Sequence, residues 1–188
     1  TTLINIFLGL LKPTSGAIYV NDEPLESNID TLIKNTAYIP QNMFLLDDTM
    51  RGNIALGINS DEIDEERVIS ALKKASLFDF VDNLPNGLNT YVGENGIKLS
   101  GGQRQRVALA RAIYHERSVL VMDESTSALD NQTEQEIINE IKSLKRKKTI
   151  IMIAHRLTTI QHCDCIYRIE NGKIIDQGSY KEVVSKEK

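Results

Sequence analysis

The chain of 188 residues predicts an α/β protein: a mostly parallel sheet with helices on both faces, plus a helical subdomain. Three observations predict it. Two short runs, 119–122 and 150–154, are continuously apolar, as strands buried on both faces are. Segments of helical period alternate with these strands, the order that builds βαβ units. Between residues 45 and 115 the pattern is largely helical, an insertion into the alternation.

In order, Leu3, Ile6, Phe7 and Leu10 recur at helical spacing directly after Thr1-Thr2. A fold that opens on a helix lacks its first strand, so we expect a segment upstream of Thr1. Lys12-Pro13-Thr14-Ser15-Gly16 ends this helix and turns into a short strand, 17–20. Thr36–Ile39 reads as a second strand, stopped by Pro40. Residues 51–84 are helical by pattern. Their acidic start at 61–66 feeds Val68, Ile69, Leu72 and Ala75, and reads as a solvated first turn that suits the helix dipole. A Gly/Asn-rich loop spans 86–96. A helix runs from about Gly102 to Tyr114, then a strand over 118–122, a helix over 134–144 and the strand Thr149–Ile153. Segments 164–169 and 174–176 around Asn171-Gly172 form a hairpin, and a last helix starts near Ser179.

Composition excludes several classes. The chain is 41% hydrophobic and 26% charged, ordinary for a globular protein. With 22 basic against 26 acidic side chains the net charge is −4, a poor basis for nucleic-acid binding. The longest apolar run, 150–154, has five residues, where a membrane helix needs about 20. Cys163 and Cys165 are two apart, cannot close a useful loop and read as reduced thiols rather than metal ligands. Lys145-Arg146-Lys147-Lys148 ends a helix and favours its dipole.

Two strings carry chemistry. The run Val119-Leu120-Val121-Met122 ends in the carboxylates Asp123 and Glu124, at the strand end where open α/β sheets bind ligands. One carboxylate there suits Mg²⁺ and a second can activate water, although a strand can also simply end in a solvated turn. Ser100-Gly101-Gly102 opens a long helix, where free N–H groups and the dipole attract an anion; the same residues would serve as a plain N-cap.

The longer string Leu99-Ser100-Gly101-Gly102-Gln103 resembles the signature motif of ATP-binding cassette (ABC) proteins. The 119–124 strand resembles their Walker B segment, and Ser127-Ala128-Leu129-Asp130 their D-loop. His155 follows an apolar strand at the switch position, and Gln41, after Tyr38-Ile39-Pro40, resembles the Q-loop glutamine. Five motifs stand in family order over essentially the whole chain. The resemblance implies a P-loop NTPase-like core formed by residues 1–44 and 116–188 and a helical signature subdomain at 45–115. Thr1-Thr2-Leu3 resembles the tail of a Walker A motif. Its glycines and lysine, the first strands and the adenine-stacking aromatic would then lie upstream, and the 188 residues alone should bind ATP poorly.

The resemblance also implies roles. ATP and Mg²⁺ are the cofactors. Thr1 would ligate Mg²⁺, Thr2 would contact phosphate, and Asp123 would orient Mg²⁺ through its water shell. Glu124 would polarise the attacking water, His155 would contact the γ-phosphate, and Gln41 would sense both Mg²⁺ and γ-phosphate. Ser100, Gly101, Gly102 and Gln103 would serve the ATP of an opposite cassette, and Asp130 would communicate across that interface. The partners implied are a second ABC ATPase domain, as a head-to-tail homodimer, and a transmembrane domain fused upstream, at the cytoplasmic face of the inner membrane. No nucleic-acid partner is expected.

The 90–96 segment, with Glu94, resembles the exporter loop that touches a membrane domain, and Asn53-Ile54-Ala55-Leu56-Gly57 is also exporter-like. Residues 9–13 and Cys163-Asp164 resemble flippases of lipid-linked oligosaccharides. Ser125 stands where exporters usually carry Ala, a change a retained Glu124 should tolerate. The expected activity is therefore ATP hydrolysis coupled to export. The competing readings are a non-transport ABC ATPase, and a binding module without turnover because the Walker A lysine is absent.

Overall fold

The computed structural model describes residues 2–41, 43–94, 97–123, 131–154 and 156–184. The chain divides into two compact units, Thr1–Ile153 and Ala154–Lys188.

In the first unit α1 (Thr2–Phe7) is shorter than its apolar spacing predicts. Gly9 adopts a left-handed φ of 71°, and the N–H groups of Leu10 and Leu11 both turn back to the Asn5 carbonyl. A tight hairpin follows, β1 (Tyr19–Val20) against β2 (Glu23–Pro24), turned by Asn21 and Asp22 at φ 53° and 67°. Then come α2 (Leu25–Asn35) and β3 (Thr36–Ile39). Neither β2 nor α2 was expected. Weak helix formers crowd α2, it is kinked at Asn28, and Leu25 is its buried residue.

The helical stretch holds β4 (Asp48–Thr49), α3 (Met50–Ile54), α4 (Glu65–Lys74), α5 (Phe78–Asp82), a 3₁₀ turn at Gly87–Asn89 and β5 (Tyr91–Val92). Asp64 caps α4 by accepting from the Arg67 N–H at 3.0 Å, with Glu65 and Glu66 in its first turn and Lys73 and Lys74 in its last. Asp64, Glu65 and Glu66 thus open the helix, and Asp61 and Glu62 lie in the turn before it. The antiparallel β4–β5 pair lies inside a region expected to be helical and loop. Next are α6 (Gly101–Tyr114), β6 (Val119–Asp123), α7 (Asn131–Leu144) and β7 (Thr149–Ile153).

The sheet is parallel, in the order β3-β6-β7, with Ile39 opposite Met122 and Met122 opposite Met152. Alternation divides its faces. Val121, with Val119, Tyr38, Ile151 and Ile153, packs on Ile4 of α1 and on Leu8 just after it. Leu120, Met122 and Ile39 point to the other face, where Ile137 and Ile141 of α7 join Val107 and Leu109 of α6. The same apolar cluster runs on into Met50, Ile54, Val68, Leu72 and Val81 of the helical stretch. The expected mostly parallel sheet with helices on both faces is present.

The second unit holds α8 (Leu157–Ile160), the antiparallel hairpin β8 (Ile166–Glu170) and β9 (Lys173–Gly178), and α9 (Tyr180–Val184). Asn171 and Gly172, at φ 49° and 75°, form its two-residue turn. Both strands continue past their expected inner ends, because this turn lets pairing run up to Glu170 and Lys173. No helix among the described residues is long and apolar enough to cross a membrane.

Candidate active site

The register of the parallel sheet brings two of the predicted residues to one edge. Asp123 is the last residue of β6 and lies opposite Ile153, the last of β7. Ile39, the last residue of β3, pairs with Met122, so Pro40 and the exposed Gln41 leave the sheet at the same edge. Asp123 is 1% exposed. It shares the face of Val121, and of Tyr38 opposite Val121, which α1 covers. Burial raises the Tyr38 phenol above its ordinary range, and the negative charge of Asp123 and a hydrogen bond to it raise it further. Thr2 is exposed and opens α1. Thr1, Glu124, Asp130 and His155 lie outside the described residues.

A buried carboxylate at a sheet edge, an amide and threonine hydroxyls are hard oxygen donors, the set that Mg²⁺ prefers. The described residues contain no group of three or more His, Cys, Asp or Glu able to hold a metal by themselves. A single buried carboxylate fits an ion that keeps its waters and completes its shell with substrate phosphates.

The signature residues stand together at the start of α6. Ser100 Oγ accepts from the Gln103 N–H at 3.2 Å, and Gln103 Oε1 accepts from the Ser100 N–H at 2.8 Å, a complete capping box. Gly101 and Gly102 form the first helical positions behind it. The cap reading of the sequence therefore has its geometry. The box fixes the N-terminus of the helix, and the dipole and early N–H groups still point out of that end.

Asn53 and Arg111 carry a second network that the sequence reading did not assign. Asn53 is fully buried on α3. Its Oδ1 accepts from the Leu46 N–H at 2.9 Å, and its Nδ2 donates to the carbonyls of Leu46 at 3.0 Å, Thr49 at 3.1 Å and Asp48 at 3.4 Å. Arg111 of α6 donates Nε to the Asn53 carbonyl at 2.8 Å, Nη2 to Asn53 Oδ1 at 3.4 Å and Nη1 to Met43 Sδ at 3.8 Å. Burial pushes its pKa down to about 10. Arg111, Tyr38, Pro40, Met43 and Phe44 line a cavity of about 270 Å³. The available signal was a polar residue inside each apolar helical run: Asn53 before Ile54-Ala55, and Arg111 between Ala110 and Ala112. Nearby, Tyr91-Val92 of the 90–96 segment pairs with β4, and Gly93 at φ 112° sits against the Leu46 carbonyl. Asn95 and Gly96 lie outside the described residues.

The family described as ABC transporter matches residues 1–127. The chain belongs to the ABC transporter family. Among curated relatives of this ABC transporter chain, an ATP-dependent lipid A-core flippase of Ralstonia nicotianae is 41% identical over 189 residues, covering 100% of the chain and 32% of the relative. The protein of the same description from Cupriavidus metallidurans is 43% identical over 188 residues, covering 99% and 32%. A solved structure of a bacterial Atm1-family ABC exporter with ATP bound superposes with a TM-score of 0.92 at 34% identity, covering 100% of the chain and 33% of the exporter. The chain thus spans about a third of the length of the relatives it matches.

Proposed function

We propose that this chain is the ATP-binding and ATP-hydrolysing domain of an ABC exporter or flippase, working as one of two cassettes that close head to tail on ATP. The observation that carries the reading is Asp123, a buried carboxylate delivered by β6 to the sheet edge from which Gln41 also departs. Asp123 and Gln41, with the Thr1 hydroxyl, hold Mg²⁺, and Thr2 contacts phosphate. The ion supplies neutralisation of the charge on the β- and γ-phosphate oxygens. Glu124 accepts hydrogen bonding from the attacking water and polarises it. His155 fixes the γ-phosphate.

Ser100, Gly101, Gly102 and Gln103 present the α6 N-terminus to the γ-phosphate of the opposite cassette, and Asp130 carries the state of one site to the other. Closure excludes water and adds fixed dipoles to a loose phosphoryl transition state. Residues 1–44 and 116–188 act as the catalytic core, and residues 45–115 as the signature subdomain. In the full-length protein a transmembrane domain precedes this one, and the cassette lies at the cytoplasmic face of the inner membrane. Relatives named as lipid A-core flippases support a lipid cargo of that type.

The test is Asp123→Asn in the full-length protein. We expect Mg²⁺-dependent hydrolysis to fall by orders of magnitude while ATP binding in EDTA persists; unaltered hydrolysis would overturn the role of Asp123. For cargo, vesicles carrying the protein and lipid A-core should show ATP-dependent translocation. ATP turnover without translocation would reject that cargo.

A further inference from the structure

Asp123 ends β6 with both carboxylate oxygens shut off from solvent, and the sheet gives it unequal neighbours on its two sides. Paired residues of parallel strands share a face. On β7 the residues beside the carboxylate are therefore Ile153, directly opposite, and Ile151, two positions back. Neither side chain carries a polar atom. On β3 the register sets Tyr38 opposite Val121, so Asp123 stands two residues, about 6.6 Å, beyond Tyr38 toward the carboxyl edge. A tyrosine side chain is long enough to span that step, and the Tyr38 phenol meets the Asp123 carboxylate in a hydrogen bond.

The ring that carries this hydroxyl is held. Tyr38 packs with Ile4 of α1, with Leu8 and with Val121 in one apolar cluster. The phenol thus reaches the carboxylate from within the sheet, beneath α1, on the side away from the strand end. An ionised carboxylate has about four lone-pair positions. The phenol takes one of them and leaves the others to the waters of a metal ion beyond the edge. A charge-assisted hydrogen bond from a packed ring also fixes the rotation of the carboxylate, which aliphatic neighbours leave free. Outer partners of this kind orient metal-binding carboxylates.

We propose that Tyr38 is a positioning residue for the metal, its phenol O–H holding the buried Asp123 carboxylate in the orientation that receives the water shell of Mg²⁺. This rests on the proposed function, which gives Asp123 the ion; Tyr38 itself touches neither ion nor nucleotide.

The test is Mn²⁺ binding to the full-length protein, read from the electron paramagnetic resonance of the bound ion, with one equivalent of a non-hydrolysable ATP analogue per site. Mn²⁺ shares the hard oxygen donors of Mg²⁺. The Mn²⁺ concentration at half-saturation is compared for the parent, Tyr38→Phe, Asp123→Asn and the double variant, beside the affinity for the analogue in EDTA. Tyr38→Phe keeps the ring against Ile4 and Val121 and loses the donor. It should raise the half-saturating concentration about ten- to a hundredfold and leave the affinity in EDTA unchanged. A residue that acts through a carboxylate loses its effect when the carboxylate is gone, so on the Asp123→Asn background the same change should shift binding by less than about twofold.

A role in packing alone predicts parent-like Mn²⁺ binding by Tyr38→Phe, and that result would overturn the proposal. So would tighter binding, which would make the phenol a competitor of the ion, or an equal shift on both backgrounds. Where Tyr38→Phe does not fold, Tyr38→Leu also lacks the donor and should weaken Mn²⁺ binding as much; a parent-like value there overturns the proposal too. If Asp123→Asn binds Mn²⁺ as the parent does, the proposed function fails first, at Asp123, and Tyr38 with it.

Discussion

Ser100 separates a structural cap from a phosphate contact, because two substitutions should move stability and activity in opposite orders. Its Oγ accepts from the Gln103 N–H at 3.2 Å, and its side chain is otherwise exposed. Ser100→Ala removes that acceptor, which costs about 1 kcal/mol at a typical N-cap. In a domain of this size that is a melting shift of about 2–4 °C. Ser100→Asp keeps an acceptor and places a negative charge at the positive end of a 14-residue helix, so stability should stay within about 0.5 kcal/mol of the parent. The same carboxylate would face a phosphate of the opposite cassette. At about 4 Å and an effective dielectric near 20, each pair of unit charges repels by about 4 kcal/mol, or about three orders of magnitude in rate. The assay is a thermal melt beside steady-state ATP hydrolysis of the full-length protein. Stability should rank Ser and Asp above Ala, and hydrolysis should rank Ser above Ala and far above Asp. If hydrolysis instead follows the melting temperatures, with Asp as active as Ser, then Ser100 is only a cap and the composite site is wrong.

Gly93 adopts φ 112°, and a Cβ there would meet the Leu46 carbonyl oxygen at 2.8 Å. Gly93→Ala should therefore destabilise the β4–β5 pair by about 1–3 kcal/mol, read as a lowered melting temperature with faster proteolysis near residue 47; an unchanged melt would show that the turn is not strained by a side chain. His115 has its pKa lowered, first by burial and then by the charges of Arg117 and Arg67. The folded protein thus takes up this proton less readily than the unfolded chain. Its contribution to stability is intact above the unfolded value of about 6.5 and declines as pH falls through that value toward the folded one. The stability difference between the parent and His115→Gln should shrink over that window, and a constant difference would contradict a half-buried imidazole that folding keeps neutral.

The parts of the fold most legible in the sequence are those whose burial is local in the chain. Thr36–Ile39 and Thr149–Ile153 match their expected bounds, and β6 is displaced by one residue, because apolar runs of four or five residues between polar ends leave little choice of register. The hairpin of the second unit was visible in Asn171-Gly172. The elements that were missed have almost no period to read. β2, β4 and β5 are two residues each, and α2 buries Leu25 in a run of weak helix formers. For the site, Asp123 and Gln41 were legible as ends of strands, and parallel pairing places them at one edge. The pairing of Asn53 with Arg111 is not legible in the sequence, since it spans 58 positions and follows from the packing of α3 on α6.

The central claim is hydrolysis at a composite site, and the most direct measurement is ATP turnover by the full-length protein beside its Glu124→Gln variant. The prediction is Mg²⁺-dependent turnover by the parent, and a variant that retains ATP in a closed pair of cassettes without hydrolysing it. A Glu124→Gln protein that turns over ATP at the parent rate would contradict the claim.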